Sequence, residues 1–264
     1  MREFTKAWAF FKRDLRTDLS YRFSFVLQIL NIVTTLAAFY FLTLVLGEKA
    51  FAGYQAFPFI LTGMAVHGYM TTSLYAYAQG IRGNQQAGTL KVVLLSRTSP
   101  LAFIFLSSLY PFFRAAVDGG CYMAAGLLFG VSLTHMNLSA ALVVFLASLP
   151  ALSSIGIASA AFTLVFKRGD PLLWLVGGLS WLLGGVFYPQ DVLPPVLQQA
   201  ALFLPITHVL RGMRAALLQG VSLADLSPQI GALALFGAVA LPLSLLGFCL
   251  GVRQARISGT LSHL

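Results

Sequence analysis

Long apolar runs constrain this chain more than anything else in it. Phe23–Leu46, Phe57–Ile81, Leu138–Phe166 and Ile230–Val252 carry no charged residue. Leu101–Leu133 is interrupted only by Arg114 and Asp118, and Pro171–Tyr188 is a shorter run of the same kind. A bilayer core about 30 Å thick takes roughly 20 apolar helical residues to cross. A helix satisfies its own backbone hydrogen bonds in hydrocarbon, so such runs read as transmembrane helices. Composition excludes the alternatives. Of 264 residues, 58% are hydrophobic and 9% charged, where soluble domains have roughly 45–50% and about 25%. Neither a water-exposed surface nor a disordered chain is built this way. The predicted fold is an all-α integral membrane protein of six transmembrane helices.

The stretch 189–229 is ambiguous. Val192–Leu210 is uncharged, but Pro194, Pro195 and Pro205 break it, and Gln198, Gln199, Thr207 and His208 make it polar. Helix interiors tolerate proline poorly. The expected structure is a re-entrant helical hairpin between the fifth and sixth spans. Charge supports six spans over seven. With six and both termini cytoplasmic, thirteen basic residues lie inside, Lys49, Arg211 and Arg214 lie outside, and Arg114 lies in the membrane. That is a strong positive-inside bias; a seventh span would move Arg253 and Arg256 outside. The basic inner face suits anionic membrane lipid, so the net charge of +9 needs no nucleic-acid partner.

Residues 1–22 are too basic, and the apolar run after them too long, for a cleavable signal peptide. Phe4, Trp8, Phe11 and Leu15 recur at helical spacing with Lys6, Arg13 and Arg16 largely off that stripe. This predicts an amphipathic interface helix on the cytoplasmic surface. The expected organisation is that helix at 1–22, a transmembrane domain at 23–252 and a cytoplasmic tail at 253–264. Within the domain, 82–100 is a cytoplasmic coupling segment and 189–229 the outer re-entrant segment.

Enzymatic chemistry finds little footing. Cys121 and Cys249 lie in apolar runs, and the four histidines are scattered without metal-ligand spacing, so no metal site is expected. Gly83–Thr89 has the GxxxxG skeleton of a phosphate loop, but Thr89 stands where Lys should follow Gly88, so no nucleotide site of its own and no bound cofactor is expected. Gly156-Ile157-Ala158-Ser159-Ala160 faintly resembles a rhomboid GxSG, yet no later span carries a histidine base; small residues there more simply let helices approach. Arg114 and Asp118 are spaced i,i+4 and form an expected intramembrane ion pair, structural or coupling. Gln28, Asn31 and Thr35 share a face of the first span, and His67 lies in the second; these line a pathway or hydrogen-bond between helices. Gly177, Gly178, Gly184 and Gly185 permit close helix contact in the fifth. Arg211 and Arg214, i,i+3 in the outer segment, can hold a lipid phosphate or anionic substrate, or pair with Asp191 or Asp225.

The loop Gln86-Ala87-Gly88-Thr89-Leu90-Lys91-Val92-Val93-Leu94-Leu95-Ser96-Arg97-Thr98-Ser99-Pro100 resembles the acidic-x-Gly-Thr-Leu-Glu-x-Leu-Leu-x-(Ser/Thr)-Pro stretch of the ABC-2 type permease family. Phe187-Tyr188-Pro189, Leu193-Pro194, Pro205 and Arg214 are similar to that family's pattern after its fifth span. Gln86, Lys91 and Arg97 depart from it, replacing an acid, a Glu and a Pro. The resemblance implies the permease subunit of an ATP-binding cassette exporter. Two such subunits, expected as a homodimer, would surround a path for a lipid-linked, glycan or amphiphilic substrate. ATP and Mg would be handled by a partner ATPase. It implies that Gly88, Thr89, Leu90, Lys91, Leu94 and Arg97 couple to that ATPase and that Pro189, Pro194, Arg211 and Arg214 form an outer gate. It places Gly177 and Gly184 near the subunit boundary, with Gln28, Asn31 and His67 there or on the path. The alternatives are an ATP-independent transporter or scramblase and, further off, an intramembrane enzyme.

Overall fold

The computed structural model describes residues 2–46, 54–86, 88–89, 99–132, 134, 136–166 and 171–257. The helices are α1 (Arg2–Ser20), α2 (Arg22–Leu46), α3 (Ala56–Gln86), α4 (Pro100–Leu128), α5 (Leu138–Phe166), α6 (Pro171–Leu183), α7 (Pro195–Leu202), α8 (Pro205–Leu218) and α9 (Ser227–Ile257), with a 3₁₀ turn at Gln190–Val192. There is no strand among the described residues.

Local chemistry sets the helix ends. Pro100 opens α4, where its missing N–H costs nothing, and the Ser99 hydroxyl accepts from the Ala102 N–H at 3.1 Å. The Asn137 side chain accepts from the Ala140 N–H at 3.0 Å to cap α5. Its own N–H and amide reach Ala216 O at 2.8 Å and Val221 O at 3.2 Å, tying that helix start to the end of α8. Pro205 disfavours a helical Leu204, and α7 and α8 meet at 89°. The expected third span reaches Leu133, but α4 stops at Leu128. Gly130, at φ 81°, ends it in a left-handed turn closed by the Val131 N–H on Gly126 O at 3.2 Å.

Phe23–Val45, Pro100–Leu128, Leu138–Phe166 and Ser227–Ala255 are long and apolar enough to cross a membrane. That is four of the six expected spans. α3 is long enough at 31 residues, but Thr62, His67, Thr71, Thr72, Ser73 and Gln79 dilute it. It is also the helix around which the others gather: α4, α5, α8, α2 and α6 all touch it. A helix sheathed in protein does not need the apolar surface that lipid demands. α6, at 13 residues, is apolar but short.

The core lies where α3, α5, α8 and α9 meet. Met70 and Leu74 pack with Val144, Leu152, Val209, Leu210 and Leu233. Below them Tyr77, Ile104, Ile157 and Phe248 form a second cluster. Gly156 permits the α3–α5 approach, since a Cβ there would sit 2.4 Å from Ser73 O and 2.6 Å from the Tyr77 ring. The Tyr77 hydroxyl donates to Ser153 Oγ at 2.9 Å. On the outside of α9, Leu235, Val239, Leu243, Leu246 and Leu250 form an exposed apolar stripe.

Candidate functional site

α1 is seated on α4 through rings. Phe11 stands edge-on to Tyr110 and Phe113, at 5.6 and 5.2 Å between centroids, and Phe10 edge-on to Phe103 at 6.4 Å. Trp8 stacks on Phe11 and stays exposed. Phe10 lies off the stripe expected to face the membrane, so α1 spends part of its apolar surface on protein.

At the end of α1 this seat becomes polar. Arg114 of α4 donates through Nη1 to Asp18 at 2.5 Å and through Nε to Asp118 at 3.2 Å. Its Nη2 donates to the Gln28 side-chain oxygen, and the Tyr110 hydroxyl also donates to Asp18. The Phe25 ring lies 5.2 Å from the guanidinium carbon. Arg114 therefore joins α1, α2 and α4. The expected Arg114–Asp118 pair is part of a larger node, whose second carboxylate comes from 96 residues away.

Two cavities of mixed polar and apolar lining open beside it. One, about 330 Å³, is lined by Asp18, Gln28, Thr72, Pro111 and Arg114 among others. Its neighbour, about 590 Å³, also reaches Thr72 and Pro111 and continues along Tyr75, Gln79, Gly83 and Asn84 of α3. Together they make one cleft between the polar face of α3 and the α1–α4 pair.

The cleft leads to the end of α3. Asn84 donates from its amide to Gly80 O at 2.8 Å and accepts the Thr89 hydroxyl at 3.0 Å. The Gly88 N–H donates to Gln85 O at 3.0 Å and the Thr89 N–H to Asn84 O at 2.9 Å. Gly88 sits at φ 66°, the left-handed conformation this helix cap requires. Gly88 and Thr89 are thus the stop of α3. Leu90, Lys91, Leu94 and Arg97 lie outside the described residues.

The polar residues expected to share the path are dispersed. Gln28 is committed to Arg114, whereas Asn31 is exposed and accepts the Thr35 hydroxyl at 3.3 Å. His67 is edge-on to Trp181 of α6 at 6.2 Å, and its buried Nδ1 has no hydrogen-bond partner among the described residues. A Cβ at Gly177 would meet nothing, so that face of α6 is open. Gly184 is internal: a Cβ there would lie 2.2 Å from Ser180 O and 3.1 Å from Ile206.

At the opposite end of the molecule Arg214 of α8 is 5% exposed. It donates to Phe59 O at 3.1 and 3.3 Å, Gly185 O at 2.7 Å and Val186 O at 2.8 Å, with its guanidinium carbon 3.4 Å from the Phe59 ring centre. No salt bridge involves it among the described residues. Arg211 is exposed, so the two arginines do not act as one clamp; Asp225 instead accepts the Ser222 hydroxyl at 2.7 Å. Burial pushes the Tyr54 phenol up from its usual range, and the nearby Arg214 charge partly offsets this.

Gln190, which sequence reasoning passed over, completes this end. Its buried amide donates to Leu183 O at 3.1 Å, Gly184 O at 3.2 Å and Thr207 Oγ1 at 3.0 Å. Pro189 precedes the 3₁₀ turn and Pro194 precedes α7. Pro189 sets extended backbone immediately before Gln190, and Pro194 does the same before α7. Gly63 is required too, because a Cβ would lie 2.0 Å from Val186 O.

A family model described as ABC-2 type transporter matches residues 5–218, from within α1 to the last residue of α8. No curated protein matches the chain.

Proposed function

The chain belongs to the ABC-2 type transporter family and is a multi-pass permease subunit of an ABC transporter; from that premise we propose that it is an exporter subunit worked by a separate ATPase. The family match carries the reading. Its spans are α2, α3, α4, α5, α6 and α9, with α7 and α8 as a re-entrant pair on the outer side. Both termini face the cytoplasm of a bacterial cell whose inner membrane holds the protein. The positive-inside count supports this orientation.

The substrate is amphiphilic, a lipid-linked or glycan-bearing molecule, and its polar part enters the cleft beside Arg114. What supports this is a polar face of α3 inside an otherwise apolar bundle. ATP and Mg bind the partner ATPase, which works the segment after Thr89. That segment follows the Gly88 cap of α3 in the chain, so its displacement is passed to α3 as a rigid rod, and α3 touches the Arg214 assembly at Phe59. A second copy of the chain completes the path against α2 and α6, where Phe41, Val45, Trp174 and Trp181 are exposed and Gly177 is open.

The test is purification of the tagged full chain from its native membrane. An ABC ATPase is expected to co-purify, and vesicles holding both should export only with ATP hydrolysis. Full activity in vesicles lacking any ATPase would overturn the reading.

A further inference from the structure

The seam between α4 and α5 carries an inference that does not depend on the ATPase. Both helices pack against α3 and scarcely touch each other. Between them is a groove of about 310 Å³, floored by Ala65 and Tyr69 of α3 and walled by Gly119, Gly120 and Leu142. Val209, Met213 and Leu217 of α8 close one end.

Helix packing does not require glycine here. A Cβ at Gly120 would meet nothing within 4 Å, and one at Gly119 only Ala65 O at 4.0 Å. The space is larger than the close approach of these helices needs. It offers water little, because its few polar groups already have partners: the Thr62 hydroxyl donates to Pro58 O at 2.9 Å, and the Tyr69 hydroxyl lies 3.4 Å from that of Ser148, which itself donates to Phe145 O at 2.6 Å. A buried water needs two to four polar partners. The mouth lies at Ala116, Gly120 and Leu142, all exposed, on two helices long and apolar enough to span. In the orientation proposed above, such a mouth faces bilayer hydrocarbon.

We propose that this groove holds one acyl chain of a bilayer phospholipid from the leaflet on the α8 side. The leaflet follows from position. α1 holds the opposite half of α4, at Tyr110 and Phe113, while the groove uses Ala115–Met123 and the first turns of α5. The volume suits a chain of roughly ten groups of about water's size. Leaving bulk lipid for the groove gains no hydrophobic free energy, so the preference comes from dispersion contacts with the groove walls. The seated chain is a wedge that keeps α4 and α5 apart.

The test uses the full chain in its purified complex, in vesicles of phosphatidylethanolamine and phosphatidylglycerol. A small share of the phosphatidylethanolamine carries a diazirine midway along one acyl chain. After photolysis, adducts are mapped on peptides covering the groove walls and on the exposed α9 stripe at Leu235–Leu250. Labelling per residue is expected to be about fivefold higher in the groove, the bias a modest packing preference gives. Ala116→Phe with Gly120→Leu should remove that excess and leave α9 unchanged. Equal labelling of groove and stripe in the unaltered protein would overturn the proposal, even if the filled variant does not fold. So would a disulfide between two copies of Gly120→Cys, which would assign the groove to a subunit contact.

Discussion

Arg214 is a buried cation held, among the described residues, by carbonyls and a ring and by no carboxylate. Three carbonyls from two segments converge on it, and its planar fork is what lets one side chain meet them. Arg214→Ala strands those carbonyls and leaves a void, at a cost of about 3 kcal/mol. Arg214→Lys should recover little, since an ammonium cannot bridge the same positions. Arg211→Ala, at an exposed site on the same helix, should change stability by about 0.5 kcal/mol or less. Thermal unfolding of the three variants in detergent checks the order; a loss at Arg211 equal to that at Arg214 would show that the inward fork is not what stabilises this end. The i,i+3 spacing of these arginines was legible in the sequence, but not their divergence. Spacing gives the angle between two side chains, whereas the roll of α8 is fixed by where Thr207 and Val209 must pack. Gly88 was expected to couple to the ATPase and not to cap a helix, although a glycine closing a polar helix end is a signal for a left-handed cap. Gly88→Ala should cost about 1 kcal/mol at that cap and reduce transport-linked ATP hydrolysis with membrane insertion intact. Gly88→Asn, which tolerates that conformation better, should retain more of the hydrolysis than Gly88→Ala. Hydrolysis assays on reconstituted complexes decide it, and equal loss in both would assign the defect to something other than the turn.

At the scale of elements, apolar runs told where helices lie better than where they stop or what they touch. α5 starts where its run starts, at Leu138, because Asn137 caps it in sequence as well as in space. The run through Leu133 outlasted α4 because hydropathy does not register the turn at Gly130, which the same glycine logic as at Gly88 would have caught. α3 was read as one span among six, and its central place was hidden because polar residues dilute a hydropathy count whether they face a path or a neighbour. The attachment of α1 to α4 was least legible: no local spacing links Asp18 to Arg114. The attachment predicts an energetic coupling. Both partners of that pair are partly exposed, so the coupling is modest, about 1 kcal/mol or less. A double-mutant cycle of Asp18→Asn and Arg114→Gln on thermal stability should show it. Strict additivity would mean that the rings of Phe10 and Phe11 alone seat the helix.

Across the whole molecule, the two polar assemblies lie at different levels of α3, one beside Thr72 at its middle and the other at Phe59 near its start, and α3 packs on α2, α4, α5, α6 and α8. The cleft runs from the Asp18–Arg114–Gln28 node to Asn84 at one end of α3, and the Arg214–Gln190–Thr207 assembly closes the other. A rod gripped at both ends transmits displacement only if those ends lie on opposite sides of the membrane, so the working of the whole rests on topology. The bent pair α7–α8 decides it. If the pair dips in and returns, α9 runs back to the side of α1, and Arg253 and Arg211 face opposite compartments. If the pair crosses, Arg253 emerges outside, against the charge bias that favours basic residues within. Both side chains are exposed, so each can be replaced by cysteine after Cys121 and Cys249 are changed to serine. A membrane-impermeant maleimide added to intact cells should modify Arg211→Cys and leave Arg253→Cys untouched until the membrane is opened. Modification of Arg253→Cys from outside would make the bent pair a crossing span.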